Sequence, residues 1–222
     1  PTFHPPSLPN LIQYCVKVAV AAGDLPFFYY HYPDKTGSPV TLSAFCREAK
    51  NHIPTFCGAK FTSFNMYDLA LALQTSRSQE KKTLPASPPS TEDRFVLMPG
   101  FEMAMLSTLP MGCRAFVGLS FNVLPRLYLD ILETFSKGNT DESFVLQSYS
   151  AKFFEIVSKY GYIQTHKTIM GWKGIQLGPL RSPLSRLSVC QAEEFRQQLV
   201  DELGEEWVRK YLTGIANPSP QA

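Results

Sequence analysis

A lysine and a tyrosine that end two neighbouring apolar runs are the residues of this sequence best suited to chemistry. Lys60 lies near the end of residues 55–61, and Tyr30 near the end of residues 26–31. A lysine among apolar groups loses hydration of its ammonium, which favours the neutral amine that attacks carbonyl carbon. A phenol beside that amine could carry protons. The local sequence leaves two alternatives open: Lys60 turns to solvent, and Tyr30 packs in a core.

A glutamate follows a third apolar run. Glu102 comes after Gly100, just beyond residues 95–98, where it could accept hydrogen bonds from the hydroxyls of a polyol. The alternative is a carboxylate in the first turn of a helix, where the helix dipole favours negative charge. His31 and His166 are isolated, and each is more typical of a hydrogen-bonded structural histidine than of a metal ligand. We therefore predict no metal site.

Composition excludes several classes of partner. The chain has 222 residues, of which 44% are hydrophobic and 18% charged, and its formal net charge is +2. It can bury a core, but it carries no basic surface for nucleic acid or a membrane, and no apolar run approaches the ~20 residues that cross a bilayer. The five cysteines are widely spaced, with no CxxC. This usage favours a reducing compartment, and we predict a cytoplasmic protein without disulfides.

The elements that must position these residues alternate along the chain. Four strands are predicted, at residues 26–31, 55–61, 95–98 and 115–119. Helices are predicted at residues 8–22 after a Ser7 cap, from Thr41 or Ser43 to residue 51, and at 65–75, 102–111, 123–137, 141–160, 164–171 and 192–212. Such alternation predicts parallel strands, whose C-terminal ends form the functional edge. The pattern allows an open doubly wound sheet or half of a barrel, and no GxGxxG follows a strand.

Six segments carry a resemblance to a known family. The sequence resembles the N-acetylneuraminate lyases of the dihydrodipicolinate synthase superfamily at LPFFYYHYP (25–33), IPTFCGAKF (53–61), MPGFE (98–102), GLSFN (118–122), QTHKTIM (164–170) and GPLRSPL (178–184). The resemblance implies that Lys60 forms a Schiff base with pyruvate and that Tyr30 is the proton donor. It places Thr62 beside the imine and Gly100 and Glu102 against the sugar. It implies no cofactor beyond the covalent imine, and a homotetramer.

The resemblance also implies a fold, an α/β (β/α)8 barrel with a C-terminal helical extension. The four predicted strands would be the fifth to eighth, so we expect an incomplete barrel in residues 1–138, with residues 2 and 3 ending the fourth strand. A Ser/Pro-rich insertion is predicted at residues 76–94, and a helical extension with a disordered tail at residues 139–222. The family loop that binds the pyruvate carboxylate has no counterpart in this sequence.

Two residues depart from the family pattern on the sugar side. Met103 replaces a usual carboxylate and Leu119 a usual serine; apolar groups there forfeit roughly 0.5–1.5 kcal/mol per lost hydrogen bond. We therefore predict an aldolase that cleaves N-acetylneuraminate to N-acetylmannosamine and pyruvate, or that acts on a related 2-keto acid. The alternative is a truncated or non-catalytic homologue that serves as a binding or oligomerisation module.

Overall fold

The computed structural model of the chain describes residue 5 and residues 7–77 and 95–212. These residues form two compact units, one within residues 1–101 and 110–117 and the other within residues 102–109 and 118–222. Three predicted features lie outside the described residues: the strand end at residues 2 and 3, the insertion beyond residue 77, and the tail at residues 217–220.

The first unit alternates helices and strands, as predicted. Its elements are α1 (Leu8–Ala21), β1 (Phe27–His31), α2 (Pro33–Thr36), α3 (Leu42–His52), β2 (Phe56–Phe61), α4 (Met66–Arg77) and β3 (Val96–Pro99). Ser7 caps α1, because its hydroxyl oxygen accepts from the Asn10 amide. Of the two predicted caps of α3, Thr41 takes the role by accepting from the Ala44 amide.

The three strands form one parallel sheet in the order β1-β2-β3. One face of this sheet is buried against helices, and apolar side chains from both layers make a single core, which includes Leu11, Phe45, Ala59, Phe61, Leu69 and Leu97. Burial of such side chains is the main driving force for this packing. The C-terminal ends of the strands therefore lie along one edge of the sheet.

A one-residue bulge sets which face of β2 each side chain occupies. Phe27 is the register partner of Phe56, but Phe28 is the partner of Gly58, so Cys57 is an extra residue on β2. An extra residue shifts the alternation of side chains along a strand. The pairing of Gly58–Phe61 with β1 is therefore shifted by one residue relative to the pairing of Phe56. The neighbouring sequence does not predict this shift.

Beyond the bulge, neighbouring side chains take opposite faces. The ring of Tyr29 stacks on Phe45 in the core, with ring centroids 3.9 Å apart. Tyr30 lies on the other face, 47% exposed, and is the register partner of Lys60. Two consecutive tyrosines thus have different roles, one in the core and one beside the lysine.

The predicted fourth strand, at residues 115–119, is wrong. This segment has no strand conformation, and the backbone bond that joins it to β3 runs from the Val117 amide to the Pro99 carbonyl oxygen, over 3.2 Å. Proline has no N–H, so Pro99 cannot return a backbone hydrogen bond to residues 115–119. The fold prediction of four strands is corrected to three in the described part of the chain.

The second unit is helical. It contains two 3₁₀ helices, Glu102–Ala104 and Ser120–Asn122, and the α-helices α5 (Met105–Thr108), α6 (Pro125–Ser136), α7 (Thr140–Tyr160), α8 (Tyr162–Trp172), α9 (Val189–Leu203) and α10 (Glu205–Tyr211). Residues 102–111, predicted as one helix, instead form a 3₁₀ turn and a short α-helix. Residues 192–212 form parts of two helices because Gly204, with φ of 92°, breaks the backbone path between them.

Among the described residues, no helix combines the length and the apolar character needed to cross a membrane.

Candidate active site

The C-terminal ends of the strands are joined by two backbone hydrogen bonds. The amide of Thr62 donates to the His31 carbonyl oxygen at 2.9 Å, and the amide of Gly100 donates to the Phe61 carbonyl oxygen at 2.7 Å. These bonds extend the sheet by one residue past β2 and β3. They fix the backbone of Thr62 and Gly100 beside the side chains that end the strands.

Lys60 and Tyr30 lie side by side on the exposed face of the sheet. The Nζ atom of half-buried Lys60 is 4.5 Å from the centroid of the Tyr30 ring. This is cation–π contact, which orients the ammonium over the ring face. Thr62 Oγ1 donates to the Tyr30 hydroxyl over 3.4 Å, so the proton of that hydroxyl remains available to a ligand.

Gly100 completes this group because it has no side chain. A Cβ atom added to Gly100 would lie 2.7 Å from Lys60 Cε and would overlap Thr62 Oγ1. The lysine stem and the threonine hydroxyl therefore occupy space that any other residue at this position would fill. The structure brings together four of the predicted site residues, Tyr30, Lys60, Thr62 and Gly100, in the first unit.

Glu102, in the second unit, is held by a neighbouring turn. Its side chain is 5% exposed, and its Oε1 atom accepts from the amide of Ser120 at 2.8 Å and from the Ser120 hydroxyl at 3.0 Å. A Cβ atom on Gly118 would overlap the Glu102 carboxyl group. The carboxylate thus accepts hydrogen bonds from specific donors. The alternative from the sequence invoked only the general attraction of a helix dipole for negative charge.

A buried polar network surrounds Glu102. The Ser120 hydroxyl is 2.6 Å from the Tyr128 hydroxyl, which is 2.9 Å from the hydroxyl of Ser150. Ser150 and Gln147 also donate to the Glu102 carbonyl oxygen, at 3.3 Å and 3.1 Å. The sequence did not predict roles for these residues, because its signal was weak: polar side chains at buried positions of three separate helices.

Met103 and Leu119, the departures from the family pattern, also belong to the second unit. Met103 is half-buried in the 3₁₀ helix Glu102–Ala104, and Leu119, which precedes Ser120, is 41% exposed. Neither brings a polar group to the neighbourhood of Glu102.

The two isolated histidines are buried structural residues, and one of them is incompletely hydrogen-bonded. His31 stacks in parallel on Phe61, with ring centroids 5.8 Å apart. The Nδ1 atom of His166 is 2.6 Å from the Tyr162 carbonyl oxygen, whereas its Nε2 atom is buried without a partner. Within the described ranges, no three His, Cys, Asp or Glu side chains converge in a group that could hold a metal ion.

Comparison with solved structures shows the same fold in dihydrodipicolinate synthase and N-acetylneuraminate lyase barrels. The N-acetylneuraminate lyase of Aliivibrio salmonicida superposes with a TM-score of 0.78, at 23% identity, over 93% of this chain and 63% of that chain. The enzyme of Proteus mirabilis gives a TM-score of 0.76, also at 23% identity, over 89% of this chain and 61% of that chain.

Sequence relatives agree with this fold. The N-acetylneuraminate lyase of Xenopus tropicalis is 35% identical over 182 residues, which are 81% of this chain and 54% of the relative. That of Gallus gallus is 30% identical over 87% of this chain and 58% of the relative. The chain thus spans just over half the length of these relatives. Residues 1–202 match the Dihydrodipicolinate synthetase family, and the chain, with its lysine and tyrosine on neighbouring parallel strands, belongs to that family.

Proposed function

We propose that this protein is a class I aldolase that forms an imine between Lys60 and a 2-keto acid and cleaves the acid to pyruvate and an aldehyde. The observation that carries the proposal is the placement of the Lys60 amine 4.5 Å from the Tyr30 ring centroid, at the C-terminal ends of parallel strands. Functional groups collect at this edge in parallel α/β folds. The family assignment and the names of the relatives support the same chemistry.

The reaction uses the protonated imine as an electron sink. Lys60 Nζ attacks C2 of the 2-keto acid, and loss of water leaves a protonated imine. A base removes the proton of the C4 hydroxyl, the C3–C4 bond breaks, and its electron pair moves into the imine to give an enamine and a free aldehyde. The enamine then takes a proton at C3, and water hydrolyses the imine to pyruvate and free Lys60.

Tyr30 is the residue that we propose to move the proton. Its hydroxyl accepts from Thr62 Oγ1, so the Tyr30 oxygen is held in place while its own proton points elsewhere. Thr62 is buried and its amide is fixed on His31, which makes it a rigid support for this hydroxyl.

Glu102 is the residue that we propose to receive the hydroxyl groups of the aldehyde portion. The default substrate is N-acetylneuraminate, after the named relatives. A related sugar-type 2-keto acid is the alternative, because Met103 and Leu119 offer no hydrogen bonds where the family usually has polar groups. Lys60 and Tyr30 are present although these two residues differ from the family pattern. This combination favours a changed preference for the sugar portion of the substrate over a loss of catalysis.

We further propose that the three strands are the fifth to seventh of a (β/α)8 barrel within residues 1–138, and that residues 139–222 form the helical extension. Strand order and the share of the solved relatives that is matched support this placement. The five cysteines are free, in keeping with a reducing, cytoplasmic location. The resemblance implies a homotetramer, which light scattering at several protein concentrations tests.

Borohydride trapping tests the imine. The protein is incubated with pyruvate and sodium borohydride, and peptides are mapped by mass spectrometry. A reduced pyruvate adduct is expected on Lys60 in the wild type and in Lys173→Met, and no adduct in Lys60→Ala. Lys173 is the matched control, since its amine is also half-buried and burial lowers its pKa. A folded wild type without an adduct on Lys60 supports the alternative, a non-catalytic binding module.

A further inference from the structure

The hydroxyl groups of Ser120, Tyr128 and Ser150 form a continuous set of short contacts that reaches Glu102. Ser120 has one hydroxyl proton and uses it on the Glu102 carboxylate, which can only accept. The Tyr128 hydroxyl must then donate to Ser120, over 2.6 Å. The Ser150 hydroxyl has one proton and two possible acceptors, the Tyr128 hydroxyl at 2.9 Å and the Glu102 carbonyl oxygen at 3.3 Å, so Ser150 links Tyr128 to the backbone of Glu102.

The three hydroxyl groups thus form one hydrogen-bonded group that contacts both the carboxylate and the backbone carbonyl of Glu102. Hydrogen bonds in series polarise one another, and a low-dielectric setting strengthens them. Ser120 and Ser150 have no exposed surface, and Tyr128 has 3%. Burial also raises the pKa of Tyr128, as does the nearby charge of Glu102, so its hydroxyl stays protonated and remains a donor.

The donors occupy one oxygen of the carboxylate. Both hydrogen bonds to the Glu102 side chain, from the amide and the hydroxyl of Ser120, go to Oε1, and no described residue hydrogen-bonds to Oε2. Gly118 leaves room for this placement, because a side chain there would overlap the carboxyl group. Glu102 is therefore an oriented acceptor with one carboxylate oxygen that the described residues leave without a hydrogen bond.

We propose that Tyr128 and Ser150, acting through Ser120, are positioning residues that hold Glu102 as an acceptor for a hydroxyl group of the substrate's sugar portion. This inference rests on the proposed function only for the identity of the ligand, a polyhydroxylated aldehyde. The two residues lie on α6 and α7, and neither needs to touch the ligand. Their effect is on affinity for the sugar and not on attack by Lys60.

The variant Tyr128→Phe tests the inference, because it keeps the ring and removes the hydroxyl. The probe is N-acetylmannosamine, and its Kd is measured by titration calorimetry without pyruvate, so that no condensation contributes heat. We expect the Kd to rise roughly five- to tenfold, as befits loss of a hydrogen bond that supports a charged acceptor. The rate of pyruvate adduct formation on Lys60 should not change.

Tyr211→Phe is the matched control. Tyr211 is also buried in the second unit, and its hydroxyl donates to Asp130 Oδ2 at 3.0 Å. This hydrogen bond is comparable to that of Tyr128 but does not involve Glu102. Both variants should melt at a lower temperature, but only Tyr128→Phe should raise the Kd. A merely structural role of Tyr128 would give two similar melting shifts and two unchanged affinities.

A double-mutant cycle sharpens the test. Tyr128 reaches the Glu102 carboxylate through the Ser120 hydroxyl. In a Ser120→Ala background, Tyr128→Phe should therefore change the Kd little further. An unchanged Kd in Tyr128→Phe, fully additive effects, or a wild type that does not bind the sugar each overturns the inference. A wild type that binds the sugar but forms no pyruvate adduct on Lys60 overturns the proposed function instead. The comparison of Kd values without pyruvate then still decides whether Tyr128 positions Glu102.

Discussion

The Nζ atom of Lys60 lies 4.5 Å from the centroid of the Tyr30 ring because the two residues are register partners on adjacent parallel strands. The amine lies over the ring, and the Thr62 hydroxyl donates to the phenolic oxygen. Amine and hydroxyl are thus positioned by different neighbours. A substitution that moves one need not move the other, which makes the two roles separable by experiment.

Substitution of Gly100 should disturb the lysine directly. In Gly100→Ala the new methyl group would lie 2.7 Å from Lys60 Cε and would overlap the Thr62 hydroxyl. We expect the rate of pyruvate adduct formation to fall at least about tenfold, with a loss of roughly 1–3 kcal/mol in unfolding free energy. Gly171→Ala is the control, since no atom lies within 4 Å of the added Cβ. Equal rates of adduct formation in Gly100→Ala and Gly171→Ala would show that Lys60 does not need the space at Gly100.

Restoring polar groups on the sugar side should improve sialic acid cleavage. Met103→Glu and Leu119→Ser supply hydrogen-bonding groups at the two departures from the family pattern. Each new bond is expected to raise kcat/KM for N-acetylneuraminate by about two- to tenfold. The control is the rate of pyruvate adduct formation, which should stay constant. Absence of any gain in the double variant would show that another feature limits this substrate.

Loss of Asp68 should destabilise the first unit. Its buried carboxylate accepts from the amides of Leu42 and Ser43, at 2.6 Å and 3.0 Å, and so satisfies the N-terminus of α3 from the neighbouring helix. We expect Asp68→Ala to lower the unfolding free energy by roughly 2–4 kcal/mol in urea titrations. Asp141→Ala, which removes an exposed carboxylate from the first turn of α7, should cost less than about 1 kcal/mol.

Stability should fall in mild acid because of two buried histidines. Burial lowers the pKa of both His31 and His166 below the ordinary value of 6.5, against smaller opposing effects of Asp68 and of the Tyr162 carbonyl group respectively. Between the lowered folded-state pKa and about 6.5 the unfolded state binds more protons, so the unfolding free energy drops as the pH decreases. The expected slope is at most about 1.4 kcal/mol per pH unit for each histidine.

Denaturant titrations between pH 7.5 and 5 measure this slope. His166→Gln should flatten it by removing one buried ring. His52→Gln is the control, because it removes an exposed histidine at the end of α3. If the two variants keep the same slope as the wild type, His166 does not contribute to acid sensitivity.

Local patterns predicted much of the first unit. The Ser7 cap and the alternation of helices and strands follow from patterns within a few residues of one another. The neighbourhood of Tyr30 and Lys60 followed from the rule that parallel strands end at a common edge, whereas Thr62 and Gly100 were indicated by the resemblance to the family.

The failures have identifiable physical causes. Residues 115–119 are apolar enough for a strand, but Pro99 on the adjoining strand lacks the amide that the ladder requires. Gly204 divides an amphipathic stretch that reads as one helix. The network around Glu102 joins residues 8, 18, 22 and 48 positions apart, and neither helical nor strand periodicity marks such contacts.

The position of Cys57 decides which changes in the length of β2 the active lysine can tolerate. Because Cys57 lies between the pairs Phe27–Phe56 and Phe28–Gly58, its removal would take away the bulge and leave Lys60 opposite Tyr30. Removal of Ala59 would instead place Lys60 opposite Tyr29, on the side where Phe45 packs. The bulge thus absorbs the loss of one residue, whereas the same loss beyond Gly58 would carry the amine to the core face of the sheet.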